Sequence, residues 1–268
     1  SAIEERRLVV MYQPIVDAVE DRIVSFEALI RPSADELADI PAEVIVQEAR
    51  RLGLLTELSI HVIDTAVRDL GRFNEIAPEL DTVSVNIDVE QVTDPVFQEV
   101  MLQARGRCGF GISLELSETS LNRSSADLHR ELQRLRSASV KIALDDFGRR
   151  SSTLLSLLRY PVDVLKIDRV LISDMHLPKQ QEVIRSMAAL ARNLGVEMIV
   201  EGVEDRATCE ELARVGVRLM QGHHFGEALS ADEMLRRLAD HGLCARPEPG
   251  SQQHDAPRVR RTRETRAG

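Results

Sequence analysis

The sequence predicts an α/β fold, a modified TIM-like (β/α)8 barrel whose first strand runs antiparallel to its neighbour. Three observations carry this expectation. Short β-rich runs alternate with longer amphipathic stretches over most of the chain, the pattern of a parallel sheet joined by crossover helices. The candidate strands number eight, which suggests closure into a barrel. The 268 residues, 43% of them hydrophobic, supply one large core within the length that a barrel uses as a single domain.

The elements follow in order. Candidate strands at 9–16 and 23–30 are separated only by a short turn around Glu20 and Asp21. That is too short for the helical crossover of a parallel pair, so strand one should be antiparallel to strand two. Helical periodicity is clear at 41–51 and 58–73, before a third strand at 82–87. Helix 95–105, strand 111–116, helix 125–136 and strands 140–144 and 164–167 come next. The series ends with helix 179–194, strand 197–200, helix 207–215, strand 218–221 and helix 231–241. From Arg246 onward Pro, Gly, Gln and Arg dominate and apolar periodicity stops. The expected organisation is a barrel over 1–245 and a disordered Arg-rich tail over 246–268, with six Arg against three acids. No internal repeat is visible.

Composition narrows the function. A net charge of −10 argues against a broad basic face, so no nucleic-acid polymer is expected as partner. An anionic ligand would need local compensation from bound divalent cations or a few placed Lys and Arg residues. Cys108, Cys209 and Cys244 are widely spaced, with neither a CxxC pair nor a nearby HxxxH, and read as reduced thiols. No apolar run approaches the roughly 20 residues that span a bilayer, and the N-terminus lacks a signal-peptide pattern. A cytoplasmic domain is expected, within a parent chain that can itself be membrane-attached. The opening at Ser1 without a methionine fits excision from a longer protein.

Alternation along each strand sorts its side chains into two faces. In the third strand Val83, Val85 and Ile87 face the helices, leaving Ser84, Asn86 and Asp88 for the interior or the mouth. The same parity places Glu27, Glu115, Asp145, Lys166 and Glu201 opposite apolar neighbours on five further strands. Six strands thus each deliver a polar group near the carboxyl end, where barrel enzymes build their sites. Glu27, Glu115, Asp145, Asp146 and Glu201 at one mouth would repel strongly without hard cations or raised pKa values. All-oxygen donors favour Mg²⁺ or Mn²⁺ over zinc, and the adjacent Asp145 and Asp146 can each face a different ion. Lys166 adds a fixed positive charge.

These residues lie in motifs that resemble the EAL-domain cyclic di-GMP phosphodiesterases. FEALIR, preceded by YQPIVD, is followed in collinear order by VNID (85–88), LELSE (114–118), ALDDFG (143–148), PVDVLKID (161–168), VEGVE (200–204) and QG (221–222). The resemblance covers roughly residues 8–241. It implies hydrolysis of cyclic di-GMP to linear pGpG with two Mg²⁺ or Mn²⁺ ions. By this resemblance Glu27, Asn86, Glu115 and Asp145 would hold one cation, with Asp145, Asp146 and Glu201 around the second. Glu201 would be the general base, and Lys166 would orient water and stabilise developing charge. Arg31 would contact a substrate phosphate, Gln13 and Gln221 would line the pocket, and Leu29 closes the Glu-Ala-Leu run on the substrate side. Glu118 and Glu204 resemble acids that brace the strand-five loop and the metal site. A homodimer through the region after strand five is implied, and sensor or GGDEF-type domains are expected in a longer parent chain.

One departure bears on activity. After Asp145-Asp146-Phe147-Gly148 the family usually continues Thr-Gly-Tyr-Ser-Ser, whereas this chain reads Arg149-Arg150-Ser151-Ser152-Thr153 with spacing unchanged. The arginines are expected either to strain the loop or to find carboxylate partners in Glu118 and Glu204. The alternative to an active hydrolase is therefore a catalytically impaired domain that binds cyclic di-GMP or acts as a protein-interaction module.

Overall fold

The computed structural model describes residues 8–33, 40–107, 109–121, 126–149 and 154–245. Cys108, Arg150, Ser151 and the tail at 246–268 lie outside the described residues. One mixed sheet closes on itself in the order β2-β3-β4-β5-β6-β7-β8-β1, with β1 also paired to β2. The strands are β1 (Leu8–Asp17), β2 (Arg22–Pro32), β3 (Thr82–Asn86), β4 (Gly111–Ser117), β5 (Val140–Phe147), β6 (Val164–Ile167), β7 (Glu197–Val200) and β8 (Leu219–Gln221). As the short turn requires, β1 is antiparallel to β2, and it is antiparallel to β8 as well. The remaining neighbours are parallel. A two-residue strand, β9 (Leu229–Ser230), also pairs with β1.

Helices α1 (Ala42–Leu52), α2 (Leu55–Ile76), α4 (Pro95–Arg107), α6 (Ala126–Ser137), α8 (Pro178–Leu194), α9 (Arg206–Arg214) and α10 (Ala231–His241) match the periodic stretches. The one-turn helices α3 (Val89–Val92), α5 (Glu118–Leu121) and α7 (Leu155–Arg159) do not appear in the sequence expectation, because a single turn is shorter than the pattern that reveals a helix. Among the described residues no helix is long and apolar enough to cross a membrane.

The main core lies between the outer faces of the strands and the helices. In α2 the spacing of Leu58, Val62, Ile63, Ala66, Leu70 and Phe73 turns one stripe inward. Phe73 meets Tyr12 and Phe26 edge-on or tilted, with centroids 5.1 and 5.2 Å away. The wholly buried Tyr12 hydroxyl donates to Asp69 of α2 at 2.8 Å, which ties β1 to that helix. Inside the barrel a smaller apolar cluster contains Ile15, Ala143, Val164 and Ile199. Each stands two residues from Gln13, Asp145, Lys166 or Glu201 on the same strand face. This apolar layer is the floor on which the polar mouth rests.

Candidate active site

Lys166 is the centre of the mouth. It is 0% exposed on β6, and its ammonium lies 2.6 Å from Glu115 Oε2, 2.7 Å from Glu201 Oε1, 3.2 Å from Glu27 Oε2 and 3.8 Å from Asp145 Oδ1. Asn86 Nδ2 donates to Glu27 Oε1 at 2.6 Å, and Gln221 Nε2 donates to Glu27 Oε2 at 2.7 Å and to Gln13 Oε1 at 3.1 Å. Six expected strand-end groups, with the two glutamines, are therefore brought together.

Local backbone features set this geometry. Between Leu144 and Phe147 the β5–β6 register slips, so β5 carries one more residue than β6 over the same span. Such a bulge bends the strand and re-aims side chains. It lengthens β5 beyond the expected end at Leu144 and lets Asp145 face Lys166 while Asp146 turns out with φ of 58°. Gly148 follows at φ 102°, where a Cβ would collide with Leu171. Glu201, just past β7, donates its backbone N–H to Ile167 at 2.9 Å. Two residues later Val203 bonds to Gln221 O at 3.0 Å, packed so closely that a Cβ at Gly222 would enter the Val203 backbone.

One ammonium faces four carboxylates, and their proton affinities diverge accordingly. Burial raises Glu115 well above the usual range, the Glu27 charge adds to this, and Lys166 opposes it. Burial also raises Asp145, with Glu27 and Asp146 adding and Lys166 opposing. Glu201 is pushed up to about 8 by burial, against the Lys166 charge and with help from Asp145 and Glu27. For Glu27 burial acts upward too, but the Lys166 charge and bonds from Gln221, Asn86 and Lys166 hold it below the usual value. Burial would lower Lys166, yet Glu115, Glu201, Glu27 and Asp145 together hold it well above its usual range, so it is cationic.

The donors suit a hard divalent cation. All are oxygens, and Glu115 Oε1 and Asp145 Oδ1 are buried without a hydrogen-bond partner. Among the described residues no three acids are arranged as a ready metal cage, and Glu115, Glu201 and Glu27 are turned toward Lys166.

The remaining expected residues lie on the same and adjoining elements. Asp88 caps α3, accepting from the Glu90 N–H and pairing with Arg50, so of the interior and the mouth, the two places the alternation left open, it does not take the interior. A helix start competes successfully for an Asp side chain at a strand end. Glu204 is exposed, with an ion pair to Arg169 at 3.8 Å. Glu118 is buried at the first turn of α5. Leu29 and Arg31 lie further along the Glu27 face of β2, opposite Met11 and Val9, and Arg31 donates to Ile30 O at 2.8 Å. Arg149 bonds to Asp146, Nη1 to Oδ1 at 3.0 Å, while Arg150, the other arginine expected to find a carboxylate, lies outside the described residues. The i,i+3 spacing of Asp146 and Arg149 was the available signal for that bond. A separate cavity of about 640 Å³, lined by Asp17, Lys141, Glu197 and Arg218 among others, opens around the amino ends of the strands and contains none of the mouth residues.

Comparison with known proteins places the chain among relatives of known name. The cyclic di-GMP phosphodiesterase PdeR of Escherichia coli K12 is 30% identical over 234 residues, which are 86% of this chain and 35% of PdeR. The chain thus spans about a third of that relative's length. The EAL enzyme Bd1971, solved with cAMP and cyclic di-GMP, superposes with a TM-score of 0.80 at 25% identity, covering 88% of this chain and 65% of that one. Klebsiella pneumoniae BlrP1, solved as a manganese and cyclic di-GMP complex, gives 0.72 at 26% identity, covering 84% and 57%. The EAL domain model matches residues 1–228, and with its motifs gathered at one barrel mouth this chain belongs to the EAL domain family.

Proposed function

We propose that the chain is a divalent-metal-dependent phosphodiesterase that hydrolyses cyclic di-GMP to linear pGpG. The observation that carries this reading is the convergence of Glu27, Glu115, Asp145 and Glu201 on Lys166, with buried carboxylate oxygens of Glu115 and Asp145 that accept no hydrogen bond. Glu27, Asn86, Glu115 and Asp145 would hold one Mg²⁺ or Mn²⁺, and Asp145, Asp146 and Glu201 the second. When bound, the cations supply an activated water and polarise the phosphoryl oxygens. Glu201 accepts the proton of the attacking water, its carboxylate standing at the mouth beside Lys166. Water oxygen bonds to phosphorus, the P–O3′ bond breaks, and the freed 3′ oxygen takes a proton. Lys166 stabilises the charge that develops on the phosphoryl group. Gln13, Gln221, Leu29 and Arg31 bind the dinucleotide, with Arg31 on a phosphate.

A second copy of the chain is the proposed partner, through the face after β5. Support comes from Leu154, Leu155 and Leu158 in and beside α7 and Val170 nearby in sequence, all more than half exposed. Sensor or GGDEF-type domains in a longer parent chain and a cytoplasmic setting complete the reading.

The Arg149–Asp146 ion pair favours a second reading, in which cyclic di-GMP is bound but hydrolysed slowly. One experiment separates them. Protein, Mn²⁺ and cyclic di-GMP are incubated, and pGpG is followed by chromatography alongside nucleotide binding. Multiple turnovers support hydrolysis, binding without product supports the second reading, and neither binding nor product rejects both.

A further inference from the structure

Arg149 carries an inference that rests on the two-cation reading and goes beyond it. The left-handed backbone at Asp146 begins a tight turn in which the Arg149 N–H reaches Asp146 O at 3.2 Å. Across the same turn the guanidinium takes Asp146 Oδ1 at 3.0 Å. The carboxylate assigned to the second cation is thus already in contact with a positive charge that belongs to the chain. The charge is permanent, because the bond to Asp146 and that residue's charge raise the Arg149 pKa further, with Asp168 and Glu43 contributing.

Exposure decides how firmly this contact holds. Asp146 is 33% exposed and Arg149 59% exposed, so water screens the pair and it can open. Lys166, by contrast, is sealed among its acids at 1% exposure. A guanidinium tethered three residues away also remains close after it is displaced, where it repels an incoming dication.

We propose that Arg149 is a built-in competitor for the second divalent cation, occupying Asp146 until that ion displaces it. The first cation's ligands contact Lys166 instead, so Arg149 holds back the second ion alone. Hydrolysis by this chain is then graded by free Mg²⁺ or Mn²⁺ over the range that fills only the second site.

The test is calorimetric titration of Mn²⁺ into chelator-treated protein without nucleotide. Wild type, Arg149→Thr, Arg149→Lys and Asp146→Asn are compared, each checked for folding by circular dichroism. Wild type should bind one ion tightly and one weakly. Arg149→Thr should tighten the weak site about threefold to tenfold, since an exposed ion pair and a nearby like charge are both removed. Arg149→Lys should change it little, Asp146→Asn should abolish it, and the tight site should stay constant in the Arg149 variants. Unchanged or weaker second-site binding in Arg149→Thr overturns the proposal. A weak site that survives Asp146→Asn also overturns it and leaves the two-cation reading standing. One ion in every variant, Arg149→Thr included, removes both.

Discussion

Lys166 Nζ lies 2.6 Å from Glu115 Oε2 in the barrel interior, with side-chain exposures of 1% and 0%. Burying both groups is costly, and the three further acids offset that cost for Lys166 while they disfavour charge on Glu115. Lys166→Met should therefore leave mutually repelling carboxylates and lower stability by about 3–5 kcal/mol. Urea melts of chelator-treated protein measure this. Added Mn²⁺ should restore part of the loss, because it replaces the missing positive charge. A variant as stable as wild type would show that Glu115 and its neighbours take up protons at little cost.

Glu27→Ala, Asp145→Asn and Glu201→Gln should each reduce pGpG formation at least about a hundredfold, the scale expected when a ligand or general base is lost. Circular dichroism checks that the barrel persists. Ca²⁺ in place of Mg²⁺ should inhibit, since it prefers longer bonds and more ligands. Retained activity in all three variants would remove the proposed chemistry.

Asp17 governs a different property, the seam where β1 meets β8. Its Oδ1 accepts the Val19 and Glu20 N–H groups at 3.0 and 3.1 Å, and its Oδ2 accepts Arg218 Nε at 2.5 Å. Burial alone would raise its pKa, but the Arg218 bond and the two backbone bonds take it below the ordinary 3.8. A lowered folded value gives stability that is present above the unfolded value and lost as pH falls through the folded one. Asp17→Asn should cost about 1–2 kcal/mol near pH 6. The gap in melting temperature from wild type should narrow as the pH is lowered below 3.8 and through the folded value. A gap independent of pH would mean that the charge contributes nothing.

Leu155 and Leu158, 64% and 72% exposed, test the proposed self-association. The double change Leu155→Glu and Leu158→Glu should convert a dimer to a monomer in light scattering, with the melting temperature almost unchanged because neither side chain is in the core. If the mass is unaltered, the copies meet elsewhere or not at all.

Much of the barrel could be read from local pattern. Strand and helix periods, the short turn at Glu20 and Asp21, and the acids at successive strand ends are properties of neighbouring residues, and all survive folding. Glu27, Glu115, Asp145 and Lys166 were legible because strand alternation fixes which face a side chain takes. Asp88 escaped that rule, since a helix begins beside it and its carboxylate serves as a cap. What only the tertiary structure decided is who meets whom. The β5 bulge that separates Asp145 from Asp146, the turn of four acids toward a single lysine, and the capture of Asp146 by Arg149 depend on register shifts and rotamers. Those are settled by competition among charges sharing one low-dielectric space, which no local pattern in the chain records.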